Sequence, residues 1–479
     1  MLRGGFFRLI AWVVACAACL GTAYAWRPVS ERVAEPAREF RAAWVATVFN
    51  LDWPSRAGLS AAEQRAELLR ILNQAVKLRM NAIILQVRPN ADALYKSSLE
   101  PWSSWLSGPG VNPGYDPLAF AIAEAHRRGL ELHAWFNPFR ATVADKPVGR
   151  GHISTRRPDL IKRAGSTTIL NPSQTASRQH VMNVILDVVR RYDIDGVHLD
   201  DYFYPYPPHH NIADGRTPAQ RRAAIDAFVS SLYAGVKRIK PWVRVGISPF
   251  GIWQPGYPAG VPAGVNAYEH LACDAAKWLR NGWVDYLSPQ LYWRIDSPQS
   301  FTALMKWWSS INPRRPIWPG IAPVRINSSE DPGRPASEIG RQIDAARSLA
   351  RQSAGQLYWS WRAIGTDRGG VQRELAARYR GFALPPAMPW CGSSTPAQPT
   401  AQAADTASGV TLAWASADNS ARKWAIQARR SGQWTTLCIL PGTQRRVTLP
   451  ASMFAGVDRL AVRPISAYGN SGSPAVLAR

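Results

Sequence analysis

The chain runs to 479 residues, room for two or three domains, and its 46% hydrophobic and 19% charged content is that of a globular protein. Lys and Arg outnumber Asp and Glu by 57 to 33, a net +24 that favours polyanionic partners. Nucleic acid is set aside as that partner, because the chain opens like an exported protein.

The first 25 residues, MLRGGFFRLIAWVVACAACLGTAYA, carry Arg3 and Arg8, an apolar run from Leu9 to about Leu20, and then Ala23-Tyr24-Ala25. That is the layout of a secretory signal peptide cleaved after Ala25, and the run is too short to span a membrane comfortably. Val13-Val14-Ala15-Cys16 offers a second reading, a lipoprotein processing site that would leave a lipid on Cys16. Either reading predicts export to the periplasm or cell envelope, with envelope polymers or membrane surfaces as the anions. Cys16 and Cys19 lie in this leader, and Cys273, Cys391 and Cys438 follow it. No CxxC pair or metal-type spacing occurs. A Cys391–Cys438 disulfide and three unpaired thiols are both open readings.

From about residue 38 a β-like run, a loop and a helical stretch alternate. The β-like runs fall at 40–49, 81–87, 130–137, 196–200, 243–250, 284–293, 317–324 and 356–361. Between them, SAAEQRAELLRILNQAVKLRM has helical spacing, Ser60 as N-cap and Glu63 three residues on. Eight such units over residues 38–385 predict a (β/α)8 TIM barrel. The long loops at about 138–170 and 201–216 are where a barrel of this kind builds a cleft. Residues 386–408, rich in Pro, Ala, Ser and Thr, read as a linker. Residues 409–479 hold short alternating runs and predict a small β-sandwich.

Side chains alternate along a strand between barrel interior and helix layer. In DGVHLDD the apolar Val197 and Leu199 face the helices, so His198 and Asp200 face inward, and Asp201 opens the loop. The same parity puts Gln86 inside and Arg88 at the mouth, with His133, Trp135 and Asn137, Ser248 and Phe250, and Ser288, Gln290 and Tyr292 inward. Asp52 and Asp92 follow strands one and two and lie near that mouth. Polar groups thus gather at the C-terminal strand ends, where barrels place their sites.

The chemistry on offer is carboxylate, amide, imidazole and ring. There is no GxSxG elbow, no HExxH helix and no Gly-rich phosphate loop after a strand. Carboxylates with many rings, 21 of them Trp, suit glycoside hydrolysis: a raised-pKa acid protonates the leaving oxygen, and a second carboxylate or the substrate's own amide stabilises the oxocarbenium-like centre. Blander readings stand beside each residue. Asp195 is a bottom-face residue, Asp201 a loop holder, and His133 a core group. Arg88 is either an ion-pair partner or a sugar clamp. His209 and His210 are a solvated loop or, less simply, metal ligands.

The segments REFRAAWVATVFNLDWPS, NAIILQVRPNADALYKSSLEPWS, LELHAWFNPFR, DGVHLDDYFYPYP and YLSPQLYW together resemble the glycosyl-hydrolase-like family 10 domain of bacteria over about residues 38–385. The tail after Trp390 resembles a fibronectin type III-like module. The resemblance implies a (β/α)8 barrel acting on envelope glycans, peptidoglycan strands foremost. Chitinase-type barrels carry a Glu two positions after the middle Asp of this motif, and Tyr202 stands there, which leaves Asp200 or Asp201 as the acid. The expected roles are therefore Asp200 as acid or nucleophile and Asp201 as its helper. Arg88, Asn137, Gln290, Tyr292, Trp135, Tyr202, Asp52 and Asp92 would meet the sugar, with no cofactor or metal. The alternatives are a glycan-binding barrel without catalysis, and a metal-dependent deacetylase using Asp200, Asp201, His209 and His210.

Overall fold

The computed structural model describes residues 26–143, 146–350 and 354–479. The leader reading of residues 1–25, and Cys16 with it, lies outside the described residues.

The first strand, β1 (Arg27–Val29), belongs to the C-terminal unit. The barrel begins with β2 (Phe40–Val45), β3 (Ala82–Arg88) and β4 (Glu131–Phe136). The loop after β4 carries its own small antiparallel sheet, β5 (Arg140–Thr142), β6 (Ile161–Ala164) and β7 (Thr167–Leu170). The barrel resumes with β8 (Gly196–Leu199), β9 (Arg244–Ile247), β10 (Tyr286–Leu287), β11 (Gly320–Ile321) and β12 (Gly355–Tyr358). These eight parallel strands curl in the order β10-β9-β8-β4-β3-β2-β12-β11. Bridges Leu287↔Ile317 and Gln290↔Gly320 tie the two edges together. β10 and β11 are shorter than the sequence predicts, because Pro289, Pro316 and Pro319 have no N–H to give to the ladder.

Helices cover the outside, the first of them Ala61–Lys77 with the expected capping box between Ser60 and Glu63. The parity reading divides the core correctly. Ile83, Leu85, Val197, Leu199, Val245 and Ile247 pack toward the helices. Phe40, Trp44, Ile84, Trp135, Tyr286, Trp318 and Leu357 fill the interior. Two glycines make room there: a Cβ on Gly246 would meet the Tyr286 ring at 2.0 Å, and one on Gly196 would meet His133 at 2.5 Å.

The C-terminal unit comprises β13 (Thr400–Thr406), β14 (Gly409–Ala415), β15 (Lys423–Arg430), β16 (Gln433–Pro441), β17 (Arg446–Leu449), β18 (Val457–Ile465) and β19 (Ala475–Ala478). Two antiparallel sheets, β1-β19-β18-β15-β16 and β13-β14-β17, enclose Trp26, Leu412, Trp414, Trp424, Leu460 and Leu477. The predicted linker 386–408 is corrected on two counts. Thr400–Thr406 is a strand, because its Ala401 and Ala403 alternate into the sandwich core. The stretch before it is pinned to the barrel, with Trp390 Nε1 donating to Asp285 Oδ1 at 2.8 Å and Met388 buried. Cys273, Cys391 and Cys438 are all free thiols, so the Cys391–Cys438 pairing does not form.

The sandwich docks on the N-terminal end of the barrel. Lys423 pairs with Glu131 at 3.0 Å, and Arg422 reaches Asp193 at 2.7 Å and Asp195 at 3.4 Å. Leu384, Ala425, Ile439 and Ile465 make the apolar part of that contact.

Candidate active site

β8 delivers the central pair. His198 and Asp200 follow the inward alternation, and Asp201 is the first residue of the loop. Asp200 is half-buried at the open C-terminal end, whereas Asp201 is only 6% exposed. Asn137 Nδ2 donates to Asp200 Oδ2, and the Tyr202 backbone N–H donates to Oδ1 at 3.2 Å. The Tyr206 hydroxyl donates to Asp201 Oδ2, and Gln290 lies against the same carboxyl. Burial pushes the Asp200 carboxyl up to about 7; the Arg140 charge opposes this and the Asp201 charge adds to it. Burial pushes Asp201 up to about 6, while the Tyr206 hydroxyl holds it down. A carboxyl half-protonated near neutrality is equipped to give a proton, and its ionisable neighbour is equipped to support the charge that develops.

Aromatic rings lead away from the pair. Tyr202 and Tyr206 lie 5.9 Å apart, Tyr206 and Phe250 6.1 Å, and Phe250 and Trp293 5.7 Å between ring centres, and all four are half-buried. Beyond them Trp253 stacks on Trp307 at 5.8 Å beside Tyr257, which is 45% exposed. Rings of this kind present flat apolar faces to a ligand.

The remaining expected residues divide. Asn137 is held from below, because its Oδ1 accepts from Gln86 Nε2. Gln290 Nε2 donates to Ser248 O at 3.1 Å, and Tyr292 is half-buried with Asp201 near its hydroxyl. Trp135 is buried at the interior top, its Nε1 beside Asp200 and without a close partner. Arg88 is a correction. The β3–β4 register slips between Gln86 and Arg88, a β-bulge, so Arg88 pairs with the outward Phe136 instead of continuing inward. Its guanidinium is fully buried against Glu100, at 2.6 Å, and donates to the carbonyls of Asn137 and Pro138 at 2.6 and 3.0 Å. Arg88 thus props the backbone of Asn137 rather than meeting a sugar.

Asp52 and Asp92 are also loop clasps rather than cleft groups. Asp52 accepts from Ala46 N, Ser360 Oγ and Arg362 N at 2.7, 2.8 and 2.6 Å, with burial pushing it up to about 6. Asp92 accepts from Asn90 N and Ser104 N at 3.0 and 3.2 Å. His133 is the core group expected. It lies in an interior chain that runs Glu131, His133, Tyr286, His198 and Ser248, with successive contacts of 3.2, 3.1, 2.9 and 3.1 Å. Burial, with His133 second, holds the His198 imidazole far below its ordinary range, so it is neutral. Among the described residues no cluster of His, Cys, Asp and Glu could hold a metal: His209 is exposed and His210 packs on His270 at 4.5 Å. The deacetylase alternative therefore lacks its ligand set.

Three participants escape the sequence reading. Glu100 and Tyr206 come from loops, and Arg140 stands at the start of β5. All three fall within the segments that carry the family resemblance, Glu100 in NAIILQVRPNADALYKSSLEPWS, Tyr206 in DGVHLDDYFYPYP and Arg140 at the end of LELHAWFNPFR, but they lie beyond the strand ends where alternation assigns a direction.

The pattern of the family described as glycosyl hydrolase-like 10 matches residues 39–333, and the chain belongs to that family. It is 37% identical over 396 residues, 76% of this chain and 77% of the relative, to a protein of Bacillus subtilis (strain 168) named Glycosyl hydrolase YngK. It is 32% identical over 328 residues, 61% of this chain and 75% of the relative, to Glycosyl hydrolase DigH of Escherichia coli (strain K12). Among solved structures, the PgaB (BpsB) glycoside hydrolase domain from Bordetella bronchiseptica superposes with a TM-score of 0.48 at 12% identity, covering 73% of this chain and all of that domain.

Proposed function

We propose that the protein is an exported glycoside hydrolase that cuts N-acetylated cell-wall glycan of the peptidoglycan type. The observation that carries this reading is the adjacent Asp200 and Asp201 at the open barrel end, both pushed up by burial and both beside a wall of rings. In this reading Asp200 gives its proton to the glycosidic oxygen as the C–O bond breaks. Water adds its OH to the anomeric carbon and returns a proton to the site. Asp201, or the substrate's own acetamido oxygen, supports the positive charge on the ring in between. Asn137 orients Asp200, and Tyr202, Tyr206 and Phe250 stack on sugar faces.

The family membership and the names of its relatives support hydrolysis of a glycan. The glycan's identity rests on the leader of residues 1–25 and on the basic surface, which favours an anionic envelope polymer. The same leader supports a periplasmic or envelope location, free or anchored at Cys16. The C-terminal sandwich is read as a fibronectin type III-like module that steadies the barrel. The test is incubation with peptidoglycan glycan chains, with and without stem peptides, followed by sizing of the products. Shortened chains are expected. A folded Asp200→Asn variant with full activity would refute the assignment.

A further inference from the structure

Among the described residues, Arg140 is the cation that reaches the Asp200 side of the open end without a carboxylate within ion-pair distance. It begins β5, so the small sheet β5-β7-β6 fixes its position over the mouth. Its Nε donates to Pro89 O at 2.9 Å, and among the described residues that is its single hydrogen bond and Nη2 is buried without a partner. Among the described residues no carboxylate stands within ion-pair distance of it. The groups that face it are Asp200, Tyr202, Asp92 and Arg88, and the Tyr202 ring lies 5.8 Å from its Cζ. Arg88, one strand away, shows what satisfaction looks like here: two bonds to Glu100 and two to backbone carbonyls. A guanidinium that is buried over most of its surface and left with idle donors is costly unless something supplies an acceptor.

We propose that Arg140 is a specificity residue that binds a carboxylate carried by the sugar seated next to Asp200. A planar carboxylate matches the paired N–H edge of a guanidinium. A doubly charged phosphate fits less well, because it would sit beside Asp200 and Asp201 with only one cation to offset it. Asp200 and Arg140 then read two ends of one residue of the glycan: the first meets the bond to be cut, the second meets a charged side group. The proposal rests on the glycosidase reading of the Asp pair and adds to it the charge of the substrate.

The test compares peptidoglycan glycan chains stripped of stem peptides, whose lactyl carboxylates are free, with the same chains after chemical reduction of those carboxylates to alcohols. A third arm uses an N-acetylhexosamine oligosaccharide carrying uronic acids, which places the carboxylate elsewhere on the ring. For the native protein, KM for the reduced chains is expected to rise about tenfold or more with kcat little changed, the signature of a lost charge-assisted contact. Arg140→Gln is expected to abolish the KM difference between carboxylated and reduced chains, and a thermal melt matching that of the native protein shows that the variant is folded. Arg140→Lys is expected to keep part of the preference. Cleavage of the uronic acid arm with an Arg140-dependent KM would assign the carboxylate to that source instead of the lactyl ether. Equal KM for carboxylated and reduced chains, or an Arg140→Gln defect that is the same on both, overturns the proposal while leaving the hydrolase reading intact. If no chain is cut, the hydrolase reading fails, and calorimetric binding of the same two chain types decides for Arg140 alone: tighter binding of the carboxylated chains that Arg140→Gln abolishes supports it, and equal binding overturns it.

Discussion

The two ends of the barrel bury acids in opposite ways. At the open end Asp200 and Asp201 have hydrogen-bond donors but, among the described residues, no ion-pair partner, and burial pushes them up to about 7 and about 6. At the end covered by the sandwich, burial also pushes Glu131 and Asp195 up, but the cations around them win. Lys423 and Arg244 hold Glu131 far below the ordinary range, and His126 and Arg422 do the same for Asp195. The interior chain Glu131, His133, Tyr286, His198 and Ser248 joins these two regions, so both belong to one packed barrel. Burial alone therefore does not mark a working acid. What separates the two ends is whether the chain brings a counter-charge into direct contact with the acid.

The most severe way to break the contrast is to remove the acid at the open end. Asp200→Asn is expected to lower turnover by roughly 10²–10⁴-fold, the range for loss of a positioned proton donor. The same variant is expected to be more stable than the native protein at pH 8, by about 1–2 kcal/mol in urea melts, since an uncompensated buried charge is gone. Glu131→Gln at the other end should invert both readouts. It leaves Lys423 and Arg244 without their carboxylate and costs about 3–5 kcal/mol of stability. Its turnover at low temperature is expected to stay within about twofold of native, because nothing at the open end is touched.

The pH dependence separates the ends by sign. Asp200 and Asp201 have folded values above their unfolded ones, so their contribution to stability is present at low pH and is lost as pH rises through about 6 to 7. Glu131 and Asp195 have folded values below their unfolded ones, so their contribution is present at neutral pH and is lost as pH falls below roughly 4. Urea melts at pH 3, 5 and 8 should show the steep loss at pH 3, with Glu131→Gln flattening it and Asp200→Asn leaving it in place. Turnover is expected to fall above about pH 7 as Asp200 gives up its proton. The smallest effect is expected from Tyr206→Phe. Without the hydroxyl that holds Asp201 down, its titration should move up, and turnover should drop only several-fold.

Much of this was legible in the sequence because alternation is a local rule. Val197 and Leu199 are apolar, so Asp200 had to face the interior, and the same logic located Asn137, Trp135 and Gln290. The rule fails where the backbone departs from regularity or where the partner is distant. Nothing in NAIILQVR announces that the ladder slips at Val87, so Arg88 was assigned to the mouth. Glu100 and Tyr206 lie on loops whose path no periodicity encodes. Asp52 and Asp92 sit near the mouth in sequence, yet their oxygens are taken up by loop N–H groups that only the folded chain brings together. The sandwich was read from residue 409 onward, while its actual edge includes β1, several hundred residues earlier.

Because the ladder is parallel and alternates, pairing Val87 regularly with Phe136 instead of bulging it would rotate Arg88 into the interior, beside Asn137 and toward Asp200. A guanidinium in that position would neutralise the acid that the open end keeps unpaired, and Glu100 and His180 would be left behind the sheet without their cation. A regular ladder at Val87 would thus turn the open end into something resembling the covered one. The spare residue in β3 keeps the Arg88 guanidinium on the far side of the sheet from the acid it must not reach.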